Sequence, residues 1–203
     1  VARGGHCVYH DFTGCRDVER GQPVPEDSIY RIYSMTKPIT SAAVMTLYEQ
    51  ARLRLDDPIE AYLPELADLQ VFASGTPESY ETVLAHRPVS IRDLLTHTSG
   101  FTYDFLGDNP VSALYAKHRV NHVFGKDDMP AFLEKLGALP LVSQPCAEWN
   151  YSVSTDVLGC LVERISGTTF CDYLREVVFD PLGLSDTAFY VPEGKHDRFA
   201  ACY

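Results

Sequence analysis

Residues 35–52 constrain this chain most. Met35, Ile39, Ala42, Ala43, Val44, Leu47 and their neighbours put apolar side chains on nearly every face of a helix. Such a helix is usually central and buried, so the rest of the chain has to pack around it. Pro38 is compatible because it falls in the first turn, where backbone N–H groups lack intrahelical partners in any case. Residues 29–33 read as a short strand feeding this helix.

The flanking signals place the other elements. Arg3-Gly4-Gly5 is a hairpin turn, followed by a strand over residues 7–12 and a loop marked by Gly14, Gly21, Pro23 and Pro25. Asp57-Pro58 caps a short helix to about residue 63. Ser90-Ile91-Arg92-Asp93 is a capping-box pattern that opens a helix closed by Gly100. Asn109-Pro110 and Asp128-Met129-Pro130 start two more. Val157, Leu158, Leu161, Val162 and Ile165 recur at helical spacing until Gly167, and Thr169-x-x-Asp172 caps a further helix that ends before Pro181. Residues 187–191 return to strand character. Strands, then many helices, then a strand predict an α+β domain with helices over one face of an antiparallel sheet. At 203 residues and 45% hydrophobic content the chain is one domain or most of one, divided as 1–33 (strands), 34–186 (mainly helical) and 187–203 (start of a further sheet portion).

A formal net charge of −11 argues against nucleic acid as a partner. No run of eighteen apolar residues predicts a membrane span. The six cysteines, at 7, 15, 146, 160, 171 and 202, form no Cys-x-x-Cys pair; they are expected to be mostly buried thiols in a reducing, cytoplasmic setting. Both ends read as cut: two residues before the Gly-Gly turn are too few for a hairpin strand, and Ala200-Ala201-Cys202-Tyr203 carries no terminating signal.

The chemistry centres on Ser34-Met35-Thr36-Lys37. Side chains at i and i+3 of a helix lie about 5–6 Å apart on one face, so an amine can reach a hydroxyl nucleophile. The helix N-terminus adds N–H groups and a positive dipole end that favour a developing oxyanion. Ser-x-x-Lys is an acyl-transfer signature, yet it arises by chance about once in a chain of this length. A weakly nucleophilic serine needs a base, and Tyr151, in Trp149-Asn150-Tyr151-Ser152 just before a helix, is a second candidate beside Lys37. Tyr103 and Trp149 are candidates to line a substrate pocket, although each would equally serve as packing. Asp156 fits a role in orienting the loop around Tyr151. His97-x-Ser99-Gly100 lacks the leading Gly of a nucleophile elbow, and His118 with His122 lacks the adjacent Glu of a zinc helix; neither reads as a site.

Three motifs occur in order: Ser34-Met35-Thr36-Lys37-Pro38; Ile91-Arg92-Asp93-Leu94-Leu95-Thr96-His97-Thr98-Ser99-Gly100; and Tyr151-Ser152 with Asp156-Val157-Leu158-Gly159. Together they resemble the serine beta-lactamase-like family of class C beta-lactamases, DD-peptidases, carboxylesterases and transesterases, over essentially the whole chain. The resemblance implies that Ser34 is acylated, that Lys37 assists its deprotonation and that Tyr151 transfers protons, with no metal or organic cofactor and a small-molecule ester as substrate. Val153 stands where the lactamases carry an Asn that helps hold lactam substrates, which favours an esterase. A lactamase, DD-peptidase or transesterase is the alternative within the same chemistry, and a non-catalytic binding relative the alternative outside it. The family's third motif, on a strand that supplies one oxyanion N–H, has no match here. That absence implies that the isolated 203 residues are inactive or poorly folded while a full-length parent is active.

Overall fold

A computed structural model describes residues 1–107, 109–120 and 128–203. The described chain is α+β, with three two-stranded antiparallel sheets accompanying six helices. The first sheet pairs β1 (Ala2–Arg3) with β2 (His6–Cys7) around the Gly4-Gly5 turn. The second pairs β3 (Cys15–Asp17) with β4 (Gln22–Pro23). The third is a longer hairpin of β5 (Gln70–Thr76) and β6 (Ser79–Leu84). Between β4 and β5 runs helix α1 (Thr36–Glu49), and after the hairpin come α2 (Ile91–Leu95), α3 (Pro110–His118), α4 (Met129–Gly137), α5 (Ser154–Ser166) and α6 (Phe170–Leu174).

Helix α5 is the core element. Val157, Leu158, Leu161 and Val162 are fully buried, and α1, α2 and α6 pack against it. Asp156 in its first turn complements the helix dipole, and Gly167, at φ 78°, ends it in the left-handed conformation that glycine adopts without a Cβ penalty. The expectation of a fully enclosed 35–52 helix is corrected: α1 buries one stripe, Thr40, Ala43, Val44 and Leu47, while Tyr48 stays exposed. That i, i+3, i+4, i+7 spacing is the stripe of an amphipathic helix facing one neighbour.

The capping box that opens α2 forms as expected. Asp93 N–H donates to Ser90 Oγ at 3.2 Å, and Ser90 N–H donates back to Asp93 Oδ2 at 2.9 Å. The two terminal guanidinium nitrogens of Arg87 donate to the buried Asp93 carboxylate, at 2.6 and 2.9 Å. Burial pushes this carboxyl up, but the Arg87 and Ser90 hydrogen bonds outweigh burial and hold it below its ordinary value. The helix stops at Leu95, so Gly100 lies in the loop beyond it. With φ at +86° and Ser143 O 2.3 Å from where a Cβ would stand, only glycine fits there.

Other expectations fail for a common reason: a strand exists only where a partner completes its ladder. Of the 7–12 segment only Cys7 pairs, as the last residue of β2. Of residues 29–33, only Ile29 does, in a parallel bridge to Phe199. Residues 187–191 form no strand, and Phe189 instead sets its ring 5.6 Å from Phe170. The β3–β4 pair, in what read as a loop, and the β5–β6 hairpin were not anticipated. The two ends of the chain meet: Ile29 N–H donates to Arg198 O, Ala200 N–H to Ile29 O, and Ala201 N–H to Arg16 O. The cysteines are also corrected. All six are free, but only Cys160 is buried, its thiol pushed up to about 12 chiefly by burial, while Cys7, Cys15, Cys146 and Cys202 are exposed.

Candidate active site

A single-turn 3-10 segment, Tyr33–Met35, leads directly into α1 and carries Ser34 on the solvent-facing side. Tyr33 adopts φ 42°, a left-handed backbone that a tyrosine rarely takes. Lys37, in the first turn of α1, brings Nζ to 3.3 Å from Ser34 Oγ.

The third group comes from far along the chain. Residues 97–102, after α2, run beside residues 142–153 and are tied to them by backbone hydrogen bonds: Val142 N–H to Gly100 O, Cys146 N–H to Thr98 O, Asn150 N–H to His97 O and Val153 N–H to Thr102 O. The Asn150 side chain adds a bond to Phe101 O at 2.6 Å. Held this way, Tyr151 donates its hydroxyl to Ser34 Oγ at 2.7 Å. Lys37 Nζ lies 4.6 Å from the Tyr151 ring centroid. The three side chains singled out in the sequence thus converge on one oxygen.

The electrostatics favour an ionisable phenol. Burial raises the Tyr151 pKa, but hydrogen bonding to Lys37 and Ser34, with the lysine charge, outweighs it, and the net position is below an ordinary tyrosine despite the opposing charge of Asp156. A lysine ammonium beside a phenol stabilises the phenolate by direct attraction.

Tyr103 is buried rather than open to a ligand. Its hydroxyl donates to Asp156 Oδ2 at 3.3 Å, and its ring stands 5.5 Å from Tyr151 and 5.7 Å from Lys37 Nζ. Burial, then Asp156, push its pKa up, so it stays a neutral phenol. Trp149 is the opposite case: 69% exposed, it leans over Tyr151 at 6.4 Å. Sequence reading missed Phe105, exposed and stacked on Tyr103 at 4.8 Å, because a lone aromatic in a loop carries no pattern. It also set aside His97, whose ring lies 5.0 Å from Tyr151. Among the described residues no group of three His, Cys, Asp or Glu is arranged to hold a metal ion. His118 ends α3 on the surface; His122 lies outside the described residues.

Comparison with known proteins agrees with this arrangement of elements. The chain is 40% identical over 190 residues to an uncharacterized protein of Mycobacterium tuberculosis, covering 94% of this chain and 46% of that one. It is 35% identical to esterase EstB of Burkholderia gladioli, over all of this chain and 48% of the esterase. The solved structure of EstCE1, a hydrolase with promiscuous acyltransferase activity, superposes with a TM-score of 0.85 at 29% identity, covering 100% of this chain and 50% of that one. The chain therefore spans about half the length of the relatives it matches. The Beta-lactamase family model matches residues 1–203 throughout, and the chain belongs to that family.

Proposed function

We propose that the protein carrying this chain is a serine hydrolase that cleaves carboxylic esters through an acyl-enzyme on Ser34. The observation that carries this reading is the 2.7 Å contact between Tyr151 and Ser34 Oγ with Lys37 Nζ 3.3 Å from the same atom. With Tyr151 as phenolate, the Ser34 hydroxyl donates to it and loses its proton as Oγ attacks the ester carbonyl. The Lys37 charge offsets the negative charge that passes between the two oxygens. The tetrahedral intermediate collapses, Tyr151 returns the proton to the leaving alcohol, and an acyl ester remains on Ser34. A water molecule then enters, gives its proton to Tyr151, and releases the acid as Ser34 is reprotonated.

Two observations favour esters over lactams. Val153 is 1% exposed, so the position where lactamases present an Asn offers no polar group to a substrate. EstB is an esterase by name and EstCE1 a hydrolase with promiscuous acyltransferase activity. The latter also supports a second reading, in which an alcohol replaces water and the acyl group is transferred; the exposed Ser34 leaves room for such an acceptor.

Fluorophosphonate labelling of the intact protein, mapped by peptide mass spectrometry, should place the adduct on Ser34 and vanish in Ser34→Ala. A tag on another residue defeats the proposal. Comparing p-nitrophenyl butyrate with nitrocefin separates ester from lactam preference, and dominant nitrocefin turnover would reject the esterase assignment.

A further inference from the structure

His97 sits where three constraints meet. Its backbone is left-handed at φ 57°, a conformation that costs most residues but is tolerated by Asn. Its carbonyl accepts from Asn150 N–H at 2.8 Å, one residue before Tyr151. Its Nδ1 meets Ser152 Oγ at 3.3 Å, one residue after. Its ring then packs on the Tyr151 ring at 5.0 Å and, edge-on, against Trp149 at 6.2 Å. The residue thus holds Tyr151 from both chain neighbours and through its own ring, tilted 42° to the phenol.

The Ser152 contact is itself anchored. Ser152 Oγ, Ser154 Oγ and Ser99 Oγ follow one another at 2.8 Å each, all fully buried, and Phe101 N–H donates to Ser99 Oγ at 3.2 Å. Buried hydroxyls joined in this way form a stiff scaffold, because each lost bond leaves a partner unsatisfied. The scaffold runs from the 97–102 loop to the first turn of α5 and back to the imidazole.

We infer that His97 is the positioning residue for Tyr151: through its ring and its link to Ser152 it holds the phenol hydroxyl on Ser34 and Lys37. The inference rests on the proposed role of Tyr151 and assigns a purpose to the His97-Thr98-Ser99-Gly100 segment that nucleophile-elbow logic leaves idle. The imidazole works as a neutral ring, since burial first and the Lys37 charge second both depress its pKa. A cation there would push Lys37 away. The charged and titratable groups facing Tyr151 are Lys37 from α1, Asp156 from α5 and Tyr103 from the loop beyond His97. Without the His97 ring the phenol swings away from Lys37 and loses the contact that lowers its pKa.

The test is the rate of fluorophosphonate labelling at Ser34 as a function of pH, in the intact protein. His97→Asn keeps the left-handed backbone and a polar atom for Ser152, so its melting temperature should match the parent while labelling at neutral pH falls by roughly 10–10²-fold, the cost of a misplacement near 1 Å. Because the base must be deprotonated, a higher Tyr151 pKa moves the labelling curve to higher pH, so the loss should shrink in alkali by the share that the raised pKa causes. His97→Ala should show the same shift with a lower melting temperature. In ester turnover the deficit should fall on kcat, leaving KM little changed. Parent-like labelling by His97→Asn overturns the inference alone. So does a loss that tracks melting temperature and does not shrink in alkali. Failure of the parent to label at Ser34 instead overturns the underlying reading of the site, and the inference with it.

Discussion

Two regions of this molecule are built to different standards. In the body that surrounds α5, residues 40–179 supply every buried hydrophobic side chain among the described residues except Ala200, and Tyr151 stands at its edge. Residues 1–39 contribute no buried residue, and their two sheets are two or three residues deep per strand. The first region is held by apolar packing and by backbone bonds between distant segments; the second by exposed ion pairs and bridges such as Ile29 with Phe199. Ser34 sits at their boundary, its turn entering from the loose side while Tyr151 is held on the tight side.

The contrast can be broken or sharpened by experiment. Tyr151→Phe keeps the packing and removes the proton carrier, so ester turnover should fall by about 10²–10⁴-fold with an unchanged melting temperature; a loss below tenfold would shift the base role to Lys37 alone. The same dependence predicts that turnover declines as pH falls through the Tyr151 pKa, which lies below the ordinary tyrosine value of about 10. Leu161→Ala, in the fully buried face of α5, should cost about 2–5 kcal/mol in denaturant unfolding. Gly100→Ala forces a Cβ onto Ser143 O in a left-handed backbone and should cost about 2 kcal/mol or more. Asp93→Asn should cost about 1–3 kcal/mol near neutrality. Because the folded Asp93 pKa is depressed, that stabilisation is complete above its unfolded value of about 4 and disappears as pH falls through the folded value. The gap between parent and variant should therefore close in acid. Val8→Ala, on the loose side, should change stability by no more than about 0.5 kcal/mol; a larger effect would show that the terminal segment is better anchored than its exposure indicates.

What the sequence made legible follows the same division. Helix signals are local: the Ser90–Asp93 capping box, Asn109-Pro110, Asp128 and Gly167 each acted within one turn and placed α2, α3, α4 and α5 within a few residues. Strand signals are not, because pairing depends on a partner elsewhere. Residues 8–12 and 187–191 have suitable composition and no ladder, while β5 and β6 pair through a short Pro77-Glu78 loop. At the site, Ser34 and Lys37 were readable from spacing, whereas Tyr151 needed a motif 117 residues away in sequence. His97 was invisible as a contact because its importance lies in what it touches, and its own motif pointed to a different chemistry.

The row of buried serines has a directional consequence. The Phe101 amide donates to Ser99, but each hydroxyl beyond it can give or accept, so the row Ser99, Ser154, Ser152 can run toward Nδ1 of His97 or away from it. Run toward the ring, the row pairs with the imidazole tautomer that carries hydrogen on Nε2 and leaves Nδ1 bare. Moving that hydrogen to Nδ1 requires the hydroxyl row to reverse, so the directions of the buried serines and the tautomer of the ring are coupled.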